Sequence, residues 1–358
     1  MTTYAQPPTS PVIWDVREAL AEEDQITLEG DWEFYWEQLI PPGADSTRPI
    51  TYAAFPSLWT DLTSPTGEPL PAAGFATYRM QVVLDPTLDY ALYTPSVYNS
   101  FRMYVNGQLV SQNGDVGPNA ESSRPFWHPV TVPLDRSIIS DTTELILQVA
   151  NFVHSRGGTV DALVLGKREP LLRWFNLLTL FDMMLTGALI MGGLFFLGLY
   201  LFGRHQASIL YFSVFCLVFS YYIIGSGNYV LHGLIPFYPW WLAIRVEYFA
   251  IYLTTILIVK YTQSLYPFDT PKIGVRLIML TAWVFMGFVV ILPTTVFPLL
   301  HSYYLLFLAA VILAGLVIYI RAAVHRRIGY VYSLTGIAIL LTALMLRLID
   351  HLIGFHLP

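Results

Sequence analysis

The chain has 358 residues, 55% of them hydrophobic and 12% charged, which is too apolar for one soluble domain and long enough for two. Its net charge of −6 hides an asymmetry: residues 1–170 hold 21 Asp and Glu against 9 Lys and Arg, whereas residues 171–358 hold 4 against 10. The acidic first half argues against a nucleic-acid partner, which needs clustered positive charge, and the single cysteine, Cys216, excludes a disulfide framework or a multi-cysteine metal site.

The first eleven residues are polar and proline-rich and predict a disordered N-terminal segment, 1–11. They lack the basic and apolar regions of a secretory signal. A domain outside the cytosol then needs either a start that has been trimmed or mis-called, the favoured expectation, or translocation by the first spanning helix.

Residues 12–168 predict an all-β domain. Strand-like runs recur between turn signals at Ile26–Leu28, Thr77–Leu84, Tyr90–Thr94, Ser100–Val105, Gln108–Gln112, Phe126–Val132, Leu145–Ala150 and Ala162–Leu165. Asn106-Gly107 lies between two of them and suits a type I′ hairpin turn, whose central residues both need positive φ. Asp15–Asp24 reads as a short helix or an irregular lead-in. Such a pattern without a helical period predicts a sandwich of jelly-roll type. On a strand, Trp32, Phe34 and Trp36 share one face and Glu33, Tyr35 and Glu37 the other. Packing in the core explains those aromatic rings; sugar stacking is the alternative. Trp59, Arg79, Arg102, Asn151, His154 and Arg156 are the candidate ligand-binding residues of this domain. An indole with Arg and Asn hydrogen bonds suits a carbohydrate, and the same side chains could equally fix turns and loops.

From residue 171 the chain predicts a transmembrane helical bundle, 171–358. A helix crossing the bilayer core of about 30 Å needs about 20 mostly apolar residues. Six segments qualify: 177–202, 208–231, 240–264, 274–292, 299–320 and 329–353. The connectors after the first, third and fifth carry Arg204; Lys260, Lys272 and Arg276; and Arg321, Arg326 and Arg327. The other two carry no positive charge. The positive-inside rule therefore puts the β domain outside the cytosol. Ionisable residues within spans are costly and invite a functional reading. Asp182, Arg245, Glu247, Arg347 and Asp350, with His301 opening the fifth span, form an expected intramembrane polar cluster toward the outer side. Interhelical ion pairs are one reading of it, a pocket for a small ligand or for the β domain the other. Trp174, Tyr238, Trp240, Trp241, Tyr303 and Tyr304 read as interfacial belts. Gly187, Gly192, Gly193 and Gly198 permit close helix packing.

Several stretches carry a resemblance when taken in order: ITLEGDWEFYWEQLIPP (Ile26–Pro42), FPSLW (Phe55–Trp59), GFATYRMQV (Gly74–Val82), RMYVNGQLVSQNGDVG (Arg102–Gly117) and ILQVANFVHSRGG (Ile146–Gly158). Leu180–Phe202 and Arg245–Leu253 add to it in the helical half. The chain resembles bacterial seven-transmembrane receptors with diverse intracellular signalling modules. The resemblance implies an extracellular galactose-binding-like jelly roll, seven helices, and a cytoplasmic output domain such as a diguanylate cyclase or histidine kinase. Six spans are read here, so a chain truncated before the seventh is expected. Location in the bacterial cytoplasmic membrane follows, with the lipid bilayer and a small extracellular ligand as partners. Receptors of this type often work as dimers, which makes a second copy a candidate partner.

No phosphate-binding glycine loop, zinc spacing or nucleophile elbow occurs in the sequence, so neither a metal nor a cofactor is expected and catalysis is not. The leading expectation is the input half of a signalling receptor. A transporter or channel with an accessory head is the alternative, and a membrane-tethered glycosidase a third.

Overall fold

The computed structural model describes residues 13–44, 51–64, 67–95, 99–203, 205–235 and 237–336. The expected disordered segment, Arg204, most of the sixth expected span, Arg347 and Asp350 lie outside them. The chain forms two compact units. The first comprises Met1–Met183, Ile224–Ala243 and Thr294–Pro298; the second Met184–Ile223, Ile244–Pro293 and Leu299–Pro358.

The first unit holds a β-sandwich. Its larger sheet runs β4 (Thr51–Phe55), β3 (Gly30–Trp36), β5 (Gly74–Val83), β10 (Thr142–Asn151), β7 (Ser100–Val105), β8 (Gln108–Asn113), and β1 (Ile13–Asp15) pairs in parallel with β5. The smaller sheet runs β2 (Gln25–Leu28), β11 (Leu163–Lys167), β6 (Tyr90–Thr94), β9 (Val130–Pro133). The short helix α1 (Arg17–Glu22) occupies the expected lead-in. Eight of these strands answer to the expected runs; β1, β3 and β4 add to them.

Alternation explains the layers. Ala76, Tyr78, Met80 and Val82 of β5 turn inward, as do Leu145, Leu147 and Val149 of β10. They meet Leu28, Leu92, Leu163 and Leu165 from the smaller sheet. Trp32 and Phe34 lie in this core and Trp36 packs against it. On the opposite face of β3, Tyr35 donates a 2.8 Å hydrogen bond to Glu33. The β7–β8 turn has positive φ at Asn106 (43°) and Gly107 (84°), as a type I′ turn requires.

Among the described residues, five helices are long and apolar enough to cross a membrane: α2 (Arg168–Phe202), α3 (Ala207–Gly225), α5 (Trp240–Leu265), α6 (Lys272–Ile291) and α7 (Phe297–Val324). A short helix, α4 (Val230–Leu234), lies between α3 and α5. Most of their apolar length belongs to the second unit. There Gly193 of α2 lets α3 approach: a Cβ on it would lie 2.8 Å from Leu217, and Ser213 donates 2.9 Å to the Gly193 carbonyl. Phe212 of α3 packs against Phe196 of α2 and Tyr261 of α5, at 5.1 and 5.3 Å between centroids. Tyr304 of α7 packs against Tyr252 and Phe285, at 4.3 and 5.0 Å.

Candidate functional site

Strand β11 becomes helix α2 without a linker: Lys167 ends one and Arg168 begins the other. β11 is paired on both sides, to β2 and to β6. The junction is tied at several atoms. Lys167 N donates 2.8 Å to the Asp24 carbonyl, and Lys167 Nζ reaches the Asp24 carboxylate at 2.9 Å. Arg168 N donates 2.9 Å to the Asp89 carbonyl. Leu171 is fully buried, and Tyr93 of β6 packs edge-on against Trp174 at 5.5 Å and tilted against Phe175 at 5.7 Å. The start of α2 is thus an extension of the smaller sheet.

Within the same unit, the β8–β9 loop presents Phe126, Trp127 and His128 to the α3–α5 connector. Trp127 is buried, with ring centroids of Tyr229, Trp240 and His154 at 5.3, 5.6 and 6.2 Å. Phe126 meets His232 of α4 at 5.9 Å. His128 lies against Gly233, where a Cβ would stand 2.9 Å from its Cε1. Asn113 anchors the loop by donating 2.9 Å to the His128 carbonyl. The connector is held again where Asn228 donates 2.8 Å to Asp182. The α6–α7 connector joins through Thr294, whose hydroxyl donates 2.5 Å to the Val153 carbonyl. Burial disfavours the charged imidazole throughout this cluster. It pushes His154 and His232 down to about 4, with His128 adding to the effect on His232, and lowers His128 itself.

Of the residues expected from the sequence, Trp59, Asn151, His154 and Arg156 come together at the end of the sandwich. Asn151 Nδ2 donates to the carbonyls of Ala72, His154 and Arg156 at 2.8, 2.9 and 3.1 Å. Its Oδ1 accepts from the amides of Val153 and His154 at 3.1 and 2.9 Å. Arg156 N donates 3.1 Å to His154 Nδ1. Trp59 is fully buried and its Nε1 donates 3.1 Å to Ala72. Its indole covers Gly157, where a Cβ would fall 2.2 Å from the ring. This network shapes the β10–β11 loop that carries Val153 and His154.

Arg79 and Arg102 stand apart from it on the outward face of the larger sheet. Arg79 pairs with Glu144 at 2.6 Å and lies 3.9 Å from Glu33. Burial and the neighbouring Glu33 raise the Tyr35 hydroxyl there to about 12. Arg102 is half-buried opposite Gln148.

The expected intramembrane cluster divides. Asp182 belongs to the first unit, bonded to Asn228; Arg245, Glu247 and His301 belong to the second. His301 Nδ1 is 3.2 Å from the Tyr252 hydroxyl and its ring packs on Tyr248 at 4.7 Å. Glu247 is half-buried, and its Oε2 has no hydrogen-bond partner among the described residues.

Sequence reasoning reads Phe126–Val132 as one strand, but β9 begins only at Val130 and Phe126–His128 lie in the loop before it; it also reads Trp240 and Tyr238 as membrane anchors. The available signal was the aromatic run Phe126–His128 together with two short connectors that lack positive charge. It also missed a polar node in the second unit. The buried Asp269 carboxylate receives His325 Nδ1 and Arg327 Nε, both at 2.8 Å, joining the α5–α6 connector to the segment after α7. Burial acts to raise this carboxyl, but the Arg327 and His325 hydrogen bonds prevail and hold it below the usual range.

A β-sandwich whose strand runs into the first of several membrane-length helices defines a multi-pass membrane protein with a folded β domain. Residues 178–357, half of the chain, match the family described as 7TM diverse intracellular signalling, and the chain belongs to that family. Searched against curated proteins, the chain finds no match. Among solved structures it is similar to Faecalibacterium prausnitzii β-glucuronidase, at 15% identity over 40% of this chain and 31% of that one, with a TM-score of 0.30. A family 2 glycosyl hydrolase from Bacteroides cellulosilyticus DSM 14838 gives 13% identity over 41% and 21%, with a TM-score of 0.32. Ruminococcus gnavus β-glucuronidase gives 14% over 40% and 28%, at 0.30. The chain therefore spans less than a third of these enzymes' length.

Proposed function

We propose that the chain is the sensing half of a membrane receptor, in which a β domain (12–168) of jelly-roll type binds a small ligand outside the cytosol. The spans, six in this chain, then pass its state to a cytoplasmic output module that lies beyond this sequence. The observation that carries this reading is the unbroken passage from β11 into α2, paired on both sides by the smaller sheet. A strand held that way transmits a displacement to the helix instead of absorbing it in a linker. The Trp127 cluster supplies a second connection, because it ties the α3–α5 connector to the same domain. A ligand shifts such an arrangement only by binding one state better than the other.

Charge supports the orientation. Lys260, Lys272, Arg276, Arg321, Arg326 and Arg327 lie within or next to the ends of α5, α6 and α7, in the unit that does not hold the sandwich. Family membership supports signalling as the role and a bacterial cytoplasmic membrane as the place. A carbohydrate is the ligand class proposed; Trp59 and Asn151 are buried and fix the β10–β11 loop, which leaves Arg102 and Arg156 as the partly exposed candidates to bind it. A homodimer is the working assembly proposed.

The test uses the full chain in nanodiscs and a panel of mono- and oligosaccharides, read by amide exchange. A ligand is expected to protect the sandwich and, with it, residues 224–243 and the start of α2. A compound that protects the sandwich alone would refute transmission through this joint. Absence of binding across the panel would refute the carbohydrate reading.

A further inference from the structure

His232 lies within α4 at 1% exposure, surrounded by rings of Phe126, Tyr229 and Tyr238 at 5.9, 5.2 and 5.4 Å. Neither of its ring nitrogens has a hydrogen-bond partner among the described residues. Across the contact stands His128 of the β8–β9 loop, whose Nδ1 is buried and without a hydrogen-bond partner there too. Among the described residues, the titratable groups that the contacts place against His232 are His128 from the opposing loop and Tyr229 and Tyr238 from its own connector, none of them a carboxylate. The acid that does meet this connector, Asp182, bonds to Asn228. The remaining imidazole of the cluster, His154, packs on the ring of Trp127.

An imidazolium donates at both nitrogens. In this position it would bury two N–H groups among aromatic rings and face a second imidazole that can also take up a proton. An unpaired buried charge is expensive, and movement of α4 into water relieves it.

We propose that the protein senses protons at this joint: a proton taken from water by His232, and opposed by one on His128, releases α4 from the β8–β9 loop. Acidity on the sandwich side then undocks the α3–α5 connector. The signalling sense of this step rests on the receptor reading above, but the undocking itself can be measured without any output. The sign follows from the direction of the shifts. The docked state holds His232 near 4 and His128 below its ordinary value. Docking is therefore at full strength above the ordinary histidine range and weakens as pH falls toward 4. At about pH 5, one histidine moved from about 6.5 to about 4 shifts the equilibrium about 30-fold toward release.

Amide exchange of the full chain in nanodiscs, corrected for intrinsic rates, tests this between about pH 7.5 and about pH 5. In the wild type, protection of Val230–Leu234 and of Phe126–His128 is expected to fall about 30-fold, while β2, β11 and β6 stay protected. In His232→Phe the fall should shrink to about twofold or less. If that variant fails to dock at neutral pH, His232→Gln serves, since it keeps a polar side chain that does not titrate. His128→Gln should keep the response with a milder slope. Unchanged wild-type protection overturns the proposal. So does an undiminished response in both His232 variants, or its loss only in His154→Gln. Acid undocking without any effect of the sugar panel would leave the proton site standing and remove the carbohydrate reading; the reverse result would remove the proton site.

Discussion

The indole of Trp127 is packed between His154 of its own sandwich and Tyr229 and Trp240 of the α3–α5 connector, so one side chain joins segments far apart in sequence. Truncating a buried Trp usually costs about 3–5 kcal/mol, because the cavity left behind adds to the lost burial. Trp127→Ala is expected to lower unfolding stability in detergent by about that much and to expose the amides of Tyr229–Trp240. A loss below about 1 kcal/mol would mean that the ring merely rests there. Asn151 shows a different kind of contribution: its amide satisfies backbone groups of the loop that carries Val153, the acceptor for Thr294. The sequence singled out Asn151, His154, Trp59 and Arg156 by residue type, and they do stand together. It could not distinguish loop-fixing from ligand-binding, because the same hydrogen-bonding groups serve both. Trp127 and His232 gave no sign of each other, since no local pattern relates residues that long-range packing brings together.

Strands and helices were legible where periodicity is strong. β5 and β10 alternate cleanly because one face meets the core, and the spans are continuous apolar runs. β1 and β4 are short strands at the margin of the larger sheet, and their pairing partners rather than their own pattern define them. α2 begins nine residues before its apolar run. Arg168, Glu169 and Pro170 concealed that start, although proline is well tolerated in a first helical turn. The continuity of β11 with α2 yields a prediction at this scale. Two glycines inserted between Lys167 and Arg168 should leave the sandwich folded, yet remove any ligand-induced protection change in α2. Retained change in α2 would assign transmission to the Trp127 cluster instead. At the other connectors, Asp269→Asn should loosen residues 325–329 at neutral pH, seen as faster amide exchange. The Asp269 carboxyl is held low in the folded state, so its contribution is present above the ordinary carboxylate range and lost as pH falls through it. Wild type should therefore loosen progressively as pH falls below the ordinary carboxylate range, with the variant changing little there. Equal exchange in the two proteins at neutral pH would make the Asp269 pairs incidental.

At the scale of the molecule, composition already separated an acidic β-rich half from an apolar half, and that contrast carries the division into a β-sandwich and a helical part. The unit structure adds what composition lacks: the two connectors without positive charge belong with the sandwich. The proposal places the sandwich outside the cytosol and the connectors it reports to inside. Cysteine labelling in intact cells decides between this orientation and its reverse. With Cys216→Ala as background, Ala120→Cys on the exposed β8–β9 loop and Lys272→Cys at the start of α6 provide the reporters. A membrane-impermeant maleimide should label Ala120→Cys in intact cells and Lys272→Cys only after permeabilisation. Labelling of Lys272→Cys in intact cells, with Ala120→Cys protected, would place the sandwich in the cytosol instead.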